Sequence, residues 1–198
     1  MCRAAPEGKP PEDMKLLSYR NFTVQQTNDS CTPCHTKGAS LGVPFQPGDP
    51  YFDHHTLTAF EHDDFYPDGR DLGENYTLTL WLMSPCVKSG RLSCTHCHTS
   101  SGRYRFATEN PNGACLPCHE ERVEHAAAHH RHPEGKGGSR CIDCHMPKTW
   151  FARMARSDHS MRPPTPATTL AYKSPNACNI CHTDKDAKWA DEIGRAHV

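Results

Sequence analysis

The sequence predicts a mostly irregular chain with short α-helices and little or no β-sheet, whose core is not built from its own side chains. Three observations predict this. Apolar content is thin: 35% of residues are hydrophobic, mean hydropathy is -0.77, and the hydrophobic fraction includes 12 cysteines. The 17 prolines and 13 glycines in 198 residues make the chain loop-rich without reaching the range of low-complexity disorder. Most of the cysteines fall into five copies of one pentapeptide, Cys-x-x-Cys-His.

The five copies carry Cys31, Cys34 and His35; Cys94, Cys97 and His98; Cys115, Cys118 and His119; Cys141, Cys144 and His145; and Cys178, Cys181 and His182. Two thiols at this spacing match the two vinyl groups of a haem and can add to them as thioethers. The imidazole that follows reaches the iron as an axial ligand. The chain therefore reads as a pentahaem c-type cytochrome with five covalently bound haem c groups, in which stacked haems supply the missing core. One haem per roughly 40 residues would suffice.

Zinc knuckles also use Cys-x-x-Cys, but they take two pairs per metal and need no histidine after the second cysteine. Here every pair is followed by histidine, and an odd number of pairs would leave one unmatched. Thioredoxin-like redox disulfides are disfavoured because no βαβ pattern surrounds the pairs.

The formal charge of -1 and the scattered Lys and Arg give no footprint for nucleic acid. Haem propionates would make the loaded protein more acidic still. No apolar run reaches 18 residues, so no transmembrane helix is predicted. Thioether attachment takes place on the exported side of the bacterial membrane, so a periplasmic or extracellular location is expected, with a leader lying outside this numbering.

In chain order, residues 1–15 read as an extended, proline-bearing arm, and residues 16–198 as a single pentahaem domain, taken as a piece of something longer. Cys2 and Cys86 lie outside the motifs, and a disulfide between them is compatible with export. Five further histidines are needed opposite the five proximal ones. In the turn-rich loop after the first motif, His55 and His62 are the chosen distal candidates, with His54 nearly as good as His55; simple solvation beside Asp53, Asp63 and Asp64 is the plain alternative. Residues 75–83 fit either a short strand or a helix. The second and third motifs follow each other closely, so their haems are expected to be neighbours, and His96 inside the second motif is a poor ligand candidate.

Residues 120–132 predict a helix of about three turns ending before Pro133, with His125, His129 and His132 on one face. His129 or His132 is expected as a distal ligand, with His125 in reserve. Residues 148–156 predict one or two helical turns. His159 follows, then a rigid polyproline-like run, 162–166. After the fifth motif, residues 183–186 resemble a capping box opening a helix that Gly194 would end.

With those residues in view, the sequence resembles multihaem cytochromes of the nitrite reductase and hydroxylamine oxidoreductase superfamily. The likeness runs through Cys141-Ile-Asp-Cys-His-Met-Pro-Lys148, Ser157-Asp-His-Ser-Met-Arg-Pro163 and Asn176-Ala-Cys-Asn-Ile-Cys-His182. It also looks like a broad group of exported cytochromes sharing Tyr66-Pro-Asp-Gly69 and Ser84-Pro-Cys86 before a haem motif. The resemblance implies that His159, in the Asp-His pair after the fourth motif, is a distal haem ligand. The Cys-x-x-Cys-Lys motif that binds the catalytic haem of pentahaem nitrite reductases is absent.

Iron held by two imidazoles has no open position, so electron transfer is the expected function, as a carrier or as a subunit of an extracellular conductive filament. Redox proteins or identical subunits would be the partners. The alternative is an oxidoreductase acting on nitrite, hydroxylamine or another small compound at one five-coordinate haem.

Overall fold

The computed structural model describes residues 18–73, 76–106 and 110–195. The predicted arm and Cys2 therefore lie outside the described residues. Helix α1, Val24–His35, opens with a reciprocal capping box: Thr23 Oγ1 accepts from Gln26 N at 3.1 Å, and Gln26 Oε1 accepts from Thr23 N at 3.0 Å. Its inward face is polar, with Thr27, Asn28, Asp29 and Thr32 buried. Such a face holds neighbours by hydrogen bonds rather than by apolar area.

The chain then doubles back. Residues 37–39 lie against 56–58 through Thr56 N to Ala39 O at 2.8 Å and Thr58 N to Lys37 O at 2.9 Å. The approach is so close that a Cβ on Gly38 would collide with Thr56 O. This pairing carries His54 and His55 back toward the end of α1.

Residues 77–83 form helix α2, Thr77–Met83, which resolves the strand-or-helix ambiguity in favour of helix. Leu78 and Trp81 pack with Tyr51 into the apolar cluster, and Leu80 is 1% exposed. Pro85 opens α3, Pro85–Lys88, where its missing N–H costs nothing. The second motif forms α4, Cys94–Cys97.

The helix predicted over 120–132 is instead two, α5, Glu120–Glu124, and α6, Ala126–His130. They are separated at His125, whose φ of -108° and ψ of 31° depart from helical values. Arg131 then takes a left-handed conformation, φ 60°, so His132 stands beyond the helix. The single histidine face expected from 3.6-residue periodicity is thereby split.

The fourth motif forms α7, Cys141–His145. The helical turns predicted for 148–156 are replaced by an antiparallel hairpin, β1, Lys148–Phe151, and β2, Met154–Ser157, with Trp150 opposite Ala155. Thr149, Trp150 and Phe151 are strand formers, and Ala152 and Arg153 both have positive φ, 47° and 66°, as a two-residue hairpin turn requires. Arg156 lies over the Phe151 ring at 5.0 Å.

Helix α8, Pro166–Tyr172, begins at the end of the proline run; α9, Ala177–Cys181, carries the fifth motif; α10, Ala187–Arg195, packs on α8 and buries Ala190 completely. Asp186, not Thr183, caps α10 by accepting from Trp189 N at 2.8 Å. Gly194 lies within the helix rather than ending it, against the Pro166 ring.

A buried polar lock joins this region to residues 66–73. Arg70 Nη1 donates to Asp68 Oδ2 at 2.9 Å, Thr168 Oγ1 at 2.7 Å and Ser174 Oγ at 3.2 Å. The architecture is thus short helices, loops and one two-stranded hairpin around a small apolar cluster. The fold class agrees with expectation. Among the described residues, no helix is long and apolar enough to cross a membrane.

Candidate haem-binding sites

Four of the five motifs sit on helical turns: the last turn of α1, then α4, α7 and α9. The third begins in a 3-10 turn at Gly113–Cys115. One turn puts the two cysteines and the histidine on one side. The turn is closed in three motifs by His98 N to Cys94 O at 3.0 Å, His119 N to Cys115 O at 3.0 Å and His182 N to Cys178 O at 2.8 Å.

Three of the motif histidines face a second imidazole. His98 and His159 have ring centres 6.3 Å apart, inclined by 27°. His129 and His145 are 6.2 Å apart at 13°, and His132 and His182 are 6.2 Å apart at 38°. Two imidazole–metal bonds of about 2 Å, each prolonged by the roughly 1.1 Å from ring nitrogen to ring centre, separate the centres by about 6.3 Å. The spacing fits one metal between each pair.

The tautomers agree with that fit. His98 Nδ1 donates to Gly102 O at 3.1 Å, His159 Nδ1 to Ser157 O at 2.9 Å, His145 Nδ1 to Arg162 O at 3.2 Å and His132 Nδ1 to His130 O at 2.6 Å. A proton held on Nδ1 leaves the Nε2 lone pair free for a metal and fixes the ring plane. Burial lowers the pKa of His145 and His159, so both are held in the neutral form that ligates.

Other histidines are placed differently. His35 and His119 are exposed, and among the described residues neither faces another imidazole at the paired spacing. His55 stacks on Tyr51 at 4.8 Å and 5°, with Nδ1 buried and without a hydrogen-bond partner. His54 is held by Val43 O at 3.3 Å and lies 3.4 Å from Asp49 Oδ2. His62 is exposed, its Nδ1 accepting from Asp64 N at 3.2 Å. His96 Nε2 donates to Ala114 O at 2.9 Å, and His130 Nδ1 accepts from His132 N at 3.0 Å. His125 sits at the break between α5 and α6. Cys86 is half-buried in α3.

The five motifs contact one another in chain order. Cys31 lies beside Cys94, and Cys115 beside Cys141. The His96 bond joins the second motif to the third, and α7 packs on α9. Among the described residues, no group of three or more His, Cys, Asp or Glu is placed to hold a bare ion. Paired imidazoles suit a metal whose other ligands come from a macrocycle, which is what haem provides. Sequence reading had no signal for the carbonyls of Gly102, Ser157 and Arg162 that orient the rings.

The overall arrangement is similar to that of the outer cell wall cytochrome OcwA, with a TM-score of 0.57 at 17% identity, over 90% of this chain and 52% of that one. The fold is that of a multihaem c-type cytochrome. The cytochrome c552 family model matches residues 127–197, which hold all but the first residue of α6, then α7 to α10, and two of the three imidazole pairs. No curated protein matches this sequence. The chain spans about half the length of OcwA.

Proposed function

We propose that this chain is an electron-transfer protein that carries five haem c groups, bound through the five Cys-x-x-Cys-His motifs, in one unit formed by residues 16–198. The observation that carries the reading is the set of three imidazole pairs at 6.2–6.3 Å. It supports assigning His159 to the haem of His98, His129 to that of His145 and His132 to that of His182. A low-spin bis-histidine haem exchanges single electrons with little change in geometry.

The residues of the chain do the rest. The Nδ1 bonds to backbone carbonyls hold His98, His132, His145 and His159 in register and raise their basicity. Trp81, with its ring centre 6.5 Å from that of His159, keeps one side of that ligand dry. The motif contacts in chain order support a row of closely spaced haems, which conducts. Redox proteins or identical subunits are the partners this arrangement suits, and a filament is the case in which terminal haems meet across subunits. The likeness to an outer cell wall cytochrome supports an exported location, periplasmic or extracellular.

A second reading rests on His35 and His119. Without a second imidazole, either haem would keep a position for nitrite, hydroxylamine or another small ligand. His55 supports the closed form for the haem of His35, since its loop pairs with residues that directly follow that motif. His62, turned to Asp64, has no such support.

Electron paramagnetic resonance of the oxidised protein, with a pyridine haemochrome count, separates the readings. Five haems, all low-spin, are expected of a conductor. A high-spin ferric signal that shifts on adding cyanide or nitrite would move the function to catalysis. Sedimentation showing only monomer would remove the filament.

A further inference from the structure

A helix leaves its first N–H groups unpaired unless a side chain accepts from them, and the second, fourth and fifth haem motifs open such helices. The first and fifth motifs lie on helices that are capped locally: α1 by Thr23, and α9 by Asn176, whose Oδ1 accepts from Asn179 N at 3.0 Å. Helices α4 and α7, which carry the second and fourth motifs, have no local side-chain cap. Their caps come from another motif. Asn28, three residues before Cys31, accepts from Cys94 N at 2.9 Å through Oδ1 and donates to Leu92 O at 3.2 Å through Nδ2. Asn112, three residues before Cys115, accepts from Cys141 N at 2.9 Å and donates to Ser139 O at 3.5 Å.

The two arrangements match atom for atom. In each, an asparagine three residues before one motif bridges the carbonyl two residues before the next motif and the N–H of that motif's first cysteine. In each, the first cysteines of the two motifs lie side by side. Asn28 is only 6% exposed, and a buried primary amide is costly unless both its ends are paired. A two-point amide bridge fixes both separation and rotation, which one bond would not. The fifth motif has no equivalent, because Asn176 caps its own helix.

We propose that Asn28 and Asn112 are positioning residues that lock the haems into two equivalent pairs, the first with the second and the third with the fourth. The fifth haem stands outside this scheme. Each amide sets the distance and mutual orientation of its two haems, and so the electronic coupling within the pair. The inference rests on the five-haem reading given above.

The test uses the haem-loaded Asn28→Ala and Asn112→Ala proteins, their double variant, and the corresponding Asp variants. Asp keeps the acceptor for the cysteine N–H but cannot donate to the carbonyl. Haem content is counted first. Soret circular dichroism then reads coupling between neighbouring haems, and a spectroelectrochemical titration reads their potentials. Each alanine variant is expected to lose the part of the Soret couplet due to its own pair and to shift two of the five potentials. Losses should add in the double variant, and the Asp variants should fall between wild type and alanine. If an alanine variant does not accumulate, its Asp counterpart reads the same couplet. Unchanged couplets and potentials in the variants, or both sites disturbing the same haems, would overturn the pairing. A wild-type count other than five would overturn the five-haem reading itself.

Discussion

Replacing His159 with alanine tests the ligand assignment at the point where sequence, structure and resemblance all converge. The side chain stands 6.3 Å from His98, centre to centre, and its Nδ1 proton is held by Ser157 O at 2.9 Å. On the proposed reading, its loss removes one axial ligand from one haem of five. The oxidised protein should therefore gain a high-spin ferric signal equivalent to a single iron, with the other four low-spin signals unchanged. The orphaned Ser157 carbonyl and lost packing beside Trp81 should cost about 1–3 kcal/mol in stability, too little to scatter the other sites. Exogenous imidazole, entering the space that the ring vacates, should restore the low-spin spectrum. His62→Ala, changed in the same way on an exposed loop, should leave every signal in place. Electron paramagnetic resonance of the oxidised variants is the assay. Five haems that all remain low-spin in His159→Ala, without added imidazole, would refute the assignment and the 6.3 Å criterion behind it.

Three other perturbations bear on the scaffold. Burial pushes the Asp71 carboxyl up to about 7, opposed by the nearby Arg156 and aided by Asp158. Because its folded pKa lies above the unfolded value, the folded state holds an extra proton between about pH 4 and 7. Stability should fall as pH rises through that window and level off above it, by at most a few kcal/mol; thermal unfolding of wild type against Asp71→Asn across that range checks this. Leu80→Ala, at a site 1% exposed, should cost about 2–5 kcal/mol and lower the thermal midpoint without altering haem count. Arg70→Met would strip the guanidinium from Asp68, Thr168 and Ser174 and leave a buried carboxylate unpaired; a loss of about 3–5 kcal/mol is expected in denaturant unfolding.

Features written in local chemistry were legible from the chain. The Cys-x-x-Cys-His pentapeptides need only one turn of backbone to present their three side chains together. The thin apolar content likewise announced a chain unable to bury an ordinary core of side chains, and the cluster around Tyr51, Leu78 and Trp81 is small. Misreadings arose where two local tendencies competed. Residues 148–156 contain helix-compatible Ala, Arg and Met, but Thr149, Trp150 and Phe151 favour a strand, and a two-residue turn at Ala152 and Arg153 lets the hairpin close. In 120–132 the residues favour helix throughout, yet the chain bends at His125 and turns left-handed at Arg131.

Those two departures account for where the paired histidines lie. On one unbroken helix, His129 and His132 would be about one turn apart and point the same way, two alternatives for a single position. The left-handed Arg131 takes His132 off the helix, and its Nδ1 then binds His130 O while its ring faces His182; His129 remains on α6 and faces His145. One short segment thus reaches two motifs that are far apart in sequence. Periodicity presumes a straight helix and registers such residues as rivals, whereas the break makes them partners of different sites. The hairpin acts in a similar way. By pairing Lys148 with Ser157 it folds the chain back on itself after the fourth motif, so that His159 turns toward His98 of the second motif rather than toward His145, its nearer motif histidine in the chain. Assigning a distal histidine to its iron therefore requires knowing where the backbone reverses, and in this chain the reversals fall where helix propensity, read alone, gives no reason to expect them.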